Sequence, residues 1–257
     1  MPFEIEAPLW EVRTFKSLGS TSTHAIALCN GSVCPPHGVV IRAGSQLNGR
    51  GRLGRVWTSS AGNFFQSLIV TPGINLPDGF GLAFVTALAI ADVIEDYAAD
   101  KLVGLKWPND VLIDGKKVAG VLIESGAVIG NGAAWYVVGT GVNLQSAPYG
   151  AAALSEYDVE IDPVIFGDLF LSAFAIRYVD WLSAGFEPIR RQWLAKAMFL
   201  GQDISVGLPE DRKYGRFVSI GLDGALELET TEGLLRLTTG DVQLIGSEKG
   251  AFHVTGD

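Results

Sequence analysis

The sequence predicts an α+β protein: a mixed-sheet unit of strands and helices over residues 1–199, then a small antiparallel β-barrel over residues 200–257. Three observations carry this. Residues 82–97 are apolar around almost the whole circumference of a helix, as in a helix buried against a sheet. Residues 118–123 and 135–141 are apolar on both strand faces, as in central strands covered from both sides. After Leu200 the apolar runs shorten to strand length, punctuated by Asp223-Gly224, Glu232-Gly233 and Gly240.

In order, residues 9–17 read as an opening strand, and Ser20-Thr-Ser-Thr supplies hydroxyl caps for a helix running to about Asn30. Residues 39–43 and 64–70 are strands on either side of a glycine-rich loop. Residues 103–107 form a short strand, and Asp114-Gly115 between two apolar runs marks a hairpin. Asp162-Pro163 is an N-cap followed by proline in the first turn. The helix it opens keeps apolar spacing from Phe166 to Trp181 and stops at Gly185. A second helix is expected over residues 187–198. Strands are then expected over residues 203–206, 214–222, 225–229, 234–238 and 242–245.

The composition is that of a soluble globular protein, with 48% hydrophobic and 18% charged residues in 257. A net charge of −9 argues against a general nucleic-acid binder. Only about nineteen residues precede the first helix, too few for a helix-turn-helix module ahead of it. The start of the chain lacks an apolar signal core, and the longest mostly apolar stretch, residues 81–94, is too short for a bilayer. A cytoplasmic protein without membrane contact is expected. His24, Cys29, Cys34 and His37 could be imagined as a zinc site, but the usual short Cys-x2-4-Cys pairing is missing, and reduced structural thiols are expected instead.

Chemistry concentrates in residues 46–57. Gly49, Gly51 and Gly54 alternate with Arg50, Arg52 and Arg55, so backbone amides and guanidinium forks can converge on an anion. Residues 12–77 hold no Asp or Glu but contain Arg13, Lys16, Arg42 and the three loop arginines, inside an acidic chain. That points to a local site for a small anion. Gly49-x-Gly51-x-x-Gly54 also fits a dinucleotide fingerprint formally, yet a strand rather than a helix follows it. A second block, residues 106–124, places Lys106 at the end of one strand and Lys117 at the start of another. A lysine entering a buried strand is costly unless an anion meets it. Reaching past the strand end to solvent is the other reading for each, and Lys116 competes with Lys117 for the buried position.

Gly49-Arg-Gly-Arg-Leu-Gly-Arg55, Lys106-Trp-Pro-Asn-Asp110, Lys117-Val-Ala-Gly120 and Gly139-Thr-Gly-Val-Asn143, in this order and spacing, resemble the biotin protein ligases. The resemblance extends over residues 17–245. It implies a catalytic domain related to lipoate ligases and class II synthetases, followed by an SH3-like barrel, in a monofunctional form without an N-terminal DNA-binding domain. It implies ATP with Mg²⁺, biotin as substrate, and the carrier domain of a biotin-dependent carboxylase as partner; monomer and homodimer both stay open. The implied reaction is attack of the biotin carboxylate on the α-phosphate of ATP, then transfer from biotinyl-AMP to a carrier lysine.

By similarity, Arg50 and Arg52 with the loop amides hold the biotin carboxylate and then the adenylate phosphate. Lys117 binds the oxygen joining acyl and phosphoryl groups, and Lys106 the phosphates or the acyl carbonyl. Ser20, Thr21 and Gln46 face the ureido ring, Gly49 and Gly120 line the biotin pocket, and Trp57 packs on the apolar part of biotin. Arg55, Asn109 and Asn143 serve the nucleotide; the resemblance assigns no metal ligands. The loop is expected to order over bound ligand. Two positions depart from the family pattern: Leu53 replaces a usual arginine, weakening the loop's positive field, and Ser22 stands where asparagine is common. The competing readings are a lipoate or octanoate ligase on the same fold and a non-catalytic biotin-binding protein. The Arg-Arg-x-Gly-Gly-Gly loop of the lipoate enzymes is absent.

Overall fold

Seven strands build a mixed sheet in the computed structural model, which describes residues 9–32, 34–71, 79–127, 134–208 and 210–245. They are β1 (Glu11–Phe15), β2 (Val39–Ala43), β3 (Phe64–Val70), β4 (Val103–Lys106), β5 (Asp110–Ile113), β6 (Lys116–Ala127) and β7 (Ala134–Val142). Their order is β1-β2-β3-β7-β6-β5-β4. Only β1 and β2 pair in parallel, because the helix α1 (Thr21–Asn30) carries the chain back between them. The two-sided apolar strands, β6 and β7, lie inside the sheet as their pattern predicts.

Successive side chains of a strand point to opposite faces, and the two faces have different covers. Val39, Ile41, Ile69 and Val137 pack with Ala25 and Cys29 of α1. Val40, Leu68, Val70 and Val138 turn the other way, into the larger core with helices α2 (Phe80–Tyr97), α3 (Pro163–Ala184) and α4 (Phe186–Ala195). Helix α2 lies in contact with the sheet, α3 and α4, which accounts for its lack of a polar face. Asp162 caps α3 by accepting from Val164 N at 2.7 Å. The hairpin between β5 and β6 turns through Asp114 (φ 48) and Gly115 (φ 80), both left-handed as a two-residue hairpin requires.

Helix α4 stops three residues before the expected Met198. The backbone there is needed elsewhere: Leu105 N donates to Lys196 O and Met198 N donates to Leu105 O, each at 2.8 Å, so residues 196–198 edge β4 instead. The Trp107–Pro108 peptide bond, which residue type alone leaves open, is cis.

The C-terminal strands β8 (Asp203–Leu208), β9 (Asp211–Ile220), β10 (Leu226–Thr230), β11 (Gly233–Leu237) and β12 (Asp241–Leu244) form an antiparallel sheet of order β11-β10-β9-β8-β12. Where a closed barrel is expected over residues 200–257, the described residues form an open sheet, with no ladder joining β11 to β12; residues 246–257 lie outside them. The sheet is seated on the rest of the chain. Ile220, Leu226 and Phe217 share one core with Trp193 and Ile189 of α4. Trp107 Nε1 donates to Gly224 O at 3.0 Å. Among the described residues no helix is long and apolar enough to cross a membrane.

Candidate active site

On the face of the sheet covered by α1, past the N-terminus of that helix, lies an open cleft of about 880 Å³ when the solvent space at its mouth is included. Its floor is made of glycines. Gly139 and Gly141 sit two apart on β7 and so share a face; Gly120 of β6 is the cross-strand partner of Gly141. A Cβ at Gly141 would lie 2.5 Å from Trp57 Cε2, and one at Gly120 3.0 Å from Trp57 Cζ3. The missing side chains therefore let the Trp57 indole lie against the sheet. The same logic brings α1 close, since a Cβ at Gly139 would stand 2.6 Å from Ser22 Oγ. Trp57 Nε1 is buried there with no hydrogen-bond partner among the described residues.

The deep end is lined with hydroxyls. Ser20 caps α1, accepting from Thr23 N at 3.3 Å. Thr21 N and Oγ1 both donate to Gln46 Oε1, at 2.8 and 3.1 Å, and Thr21 Oγ1 accepts from Ser67 Oγ at 2.8 Å. Ser67 and Ser22 hydroxyls are 3.1 Å apart. Ser20, Thr21, Ser22 and Ser67 are buried, so this network holds its hydroxyls in fixed directions.

Residues 46–57 cross the cleft as a tight hairpin. Gly51 N donates to Arg55 O at 2.7 Å and Trp57 N to Gly49 O at 2.9 Å, with Arg50 bridged to Val56. The tip is a single 3-10 turn, Arg52–Gly54, in which Leu53 takes φ 56 and Gly54 φ 75. Gly49 does not line the cleft. It is needed behind it, where a Cβ would be 2.4 Å from both Ser59 Oγ and Trp57 O.

Arg50, Arg52, Arg55 and Lys117 come together at the cleft, and the anions that meet most of them are the protein's own carboxylates. Lys117 Nζ is 2.6 Å from Asp110 Oδ1. Lys106 Nζ is 3.1 Å and Arg55 3.7 Å from the Asp241 carboxylate. Arg50 Nη2 reaches both oxygens of Glu124, at 2.7 and 2.8 Å. Arg52 differs: it donates to Asn109 Oδ1 at 3.5 Å and Thr239 Oγ1 at 3.2 Å, and has no carboxylate in ion-pair contact among the described residues. Burial holds its guanidinium pKa below the ordinary value, with Asp110 and Asp241 pulling the other way. For Asp241, burial raises the carboxyl pKa, but Lys106 and Arg55 outweigh it and the net direction is down.

Of the predicted residues, Ser20, Thr21, Gln46, Arg50, Arg52, Arg55, Trp57, Asn109, Lys117 and Gly120 line this one cleft. Lys106 stands behind Asp241. Asn143 borders an adjoining pocket shared with Trp57 and Lys117, and its Nδ2 donates to Ala152 O at 3.2 Å. The lining residues Asp110, Thr140 and Asp241 received no role from sequence. Asp110 had a local signal, being in register with Gly120 at the end of a recognised motif; Asp241, on the other sheet, had none. Among the described residues no group of three or more His, Cys, Asp or Glu could hold a metal, so the zinc arrangement around Cys29 is not formed.

A family model described as "Biotin/lipoate A/B protein ligase family" matches residues 17–143. The chain is 38% identical to the biotin–[acetyl-CoA-carboxylase] ligase of Paracoccus denitrificans, over 75% of this chain and 85% of the relative. It is 34% identical to the bifunctional ligase/repressor BirA of Bacillus subtilis, over 88% of this chain and 72% of that protein. Its structure is similar to the biotin protein ligase of Aquifex aeolicus in complex with biotin and ATP. That similarity has a TM-score of 0.77 at 25% identity and covers 91% of this chain and 97% of that one.

Proposed function

The chain belongs to the biotin protein ligase family, and from that premise we propose how its cleft carries out ATP-dependent transfer of biotin to a protein lysine. The observation that carries the assignment is the meeting of Arg52 and Lys117 in one glycine-floored cleft. One comes from the hairpin and the other from a strand more than sixty residues later.

Biotin's ureido ring takes the hydroxyl end formed by Ser20, Thr21 and Gln46, and its apolar part lies against Trp57. A carboxylate oxygen attacks the α-phosphorus of ATP, the bond to pyrophosphate breaks, and biotinyl-AMP is left. Charge grows on the phosphoryl oxygens as this happens, and preorganised cations stabilise it. Arg52, whose guanidinium has no carboxylate in ion-pair contact among the described residues, takes the carboxylate and then the phosphate without first breaking an ion pair there. Lys117 takes the oxygen shared by acyl and phosphoryl groups. In the second step a carrier lysine attacks the acyl carbon, the acyl–phosphate bond breaks, and AMP leaves. Asp110, paired with Lys117 in the cleft, is read as the base that takes a proton from the carrier lysine's ammonium, freeing the neutral amine to attack. Asn109, Asn143, Arg55 and Lys106 serve the nucleotide side. Mg²⁺ bound with ATP would supply neutralisation of phosphate charge; Asp110 and Asp241 are the lining carboxylates that would meet it, and both are ion-paired to lysines.

The acceptor is the carrier domain of a biotin-dependent carboxylase, consistent with the name of the Paracoccus relative. The antiparallel sheet after residue 199 is read as a second, SH3-like unit packed on the first. The protein is read as cytoplasmic, free of nucleic acid, and either monomeric or a homodimer. The test is ATP–pyrophosphate exchange with biotin and lipoate offered separately. Exchange with biotin alone is expected. Exchange with lipoate alone would transfer the chain to the lipoate branch of the fold, and exchange with neither would make it a binding protein.

A further inference from the structure

The hairpin over the cleft carries Arg50, Arg52 and Arg55 within six residues and has no acid of its own, since residues 12–77 lack Asp and Glu. Like charges this close repel, so a closed hairpin needs carboxylates from elsewhere in the chain. At the tip, Arg52 reaches Asn109 and Thr239, and Arg55 faces Asp241. At the flank the partner is Glu124. Gly120, Leu122 and Glu124 alternate along β6 on one face, so Glu124 stands just beyond the last of the row that lines the cleft. One Arg50 nitrogen lies within 2.8 Å of both its oxygens. The Arg50–Val56 bridge passes this anchorage to both arms of the hairpin.

We propose that Glu124 is a positioning residue for the ligase reaction: by clasping Arg50 it presets the hairpin across the cleft, and so governs how long the activated acyl-nucleotide stays bound. Glu124 itself need not touch the substrate. The retention part of this inference rests on the adenylate-forming reading above; the clasp does not.

The two parts are tested separately. Trypsin can cut after Arg50, Arg52 and Arg55, so hairpin opening is read as cleavage there, resolved by mass spectrometry, on the full chain without added substrate. Glu124→Gln keeps the shape and removes the charge. It is expected to speed cleavage by about 2–5-fold at low salt, the range of a partly exposed ion pair. Glu124→Asp is expected to fall between the two. The difference should vanish at about 1 M salt, where the Debye length is roughly 3 Å. Equal cleavage of wild type and Glu124→Gln at low salt, or a difference that persists at high salt, would overturn the clasp. In the second arm, protein charged with biotin and ATP is desalted and the bound biotin followed with time. Glu124→Gln is expected to lose it about 2–5-fold faster. Equal loss would overturn the role in retention. If wild type retains none, the adenylate reading fails, and the trypsin result still decides the clasp.

Discussion

Asp241 Oδ1 lies 3.1 Å from Lys106 Nζ, and through this contact the C-terminal sheet becomes a wall of the cleft. Lys106 ends β4 of the seven-stranded sheet and Asp241 begins β12 of the other. The same carboxylate faces Arg55 of the hairpin, so one acid joins three parts of the chain.

Replacing Asp241 with Asn leaves Lys106, which is largely buried, without a charged partner. A loss of about 1–3 kcal/mol of stability is expected at neutral pH, the scale for an uncompensated buried polar group. Because the folded carboxyl pKa lies below its ordinary value of 3.8, its contribution is complete above that pH. It is lost as pH falls through the folded value. Urea unfolding of wild type and Asp241→Asn should therefore show a gap at pH 7 that closes in strong acid. A gap independent of pH would mean the carboxylate charge is not what joins the sheets.

Lys117→Ala removes the strand-borne cation and leaves Asp110 without its partner. Biotin-dependent pyrophosphate exchange is expected to slow by about 10²–10³-fold, the scale of losing one well-placed donor to developing charge. A slowing of less than threefold would place Lys117 outside the reaction.

Gly141→Ala adds a Cβ where Trp57 Cε2 now stands 2.5 Å away, and backbone on one side and a rigid indole on the other leave little room to relax. A cost of about 1–3 kcal/mol in packing is expected, with the indole lifted from the sheet. The readouts are weaker biotin binding by calorimetry and a shift in the Trp57 part of the emission, isolated by subtracting a Trp57→Phe variant. Unchanged affinity and emission would show that the glycine floor does not seat the indole.

The fold was legible because its signals are local. The two-sided apolar runs announced β6 and β7 as central strands, and Asp162-Pro163 announced α3. Helix α4 was read too long because its last backbone groups bond to β4, a partner far away in sequence. The closed barrel was read from turn spacing, which fixes strand number but not closure.

The sequence by itself determined the charge carriers: which cations the chain has, that they cluster in a stretch without acids, and that Lys106 and Lys117 stand at strand ends. Tertiary structure alone decided what those cations face. Asp110, Glu124 and Asp241 are ordinary acids in the sequence and become the partners of Lys117, Arg50 and Lys106 only when β5 is laid beside β6, β6 beside the hairpin and β12 beside the end of β4. The physical reason is range: backbone preference acts over a few residues, whereas an ion pair depends on separation in space, which the sequence does not state.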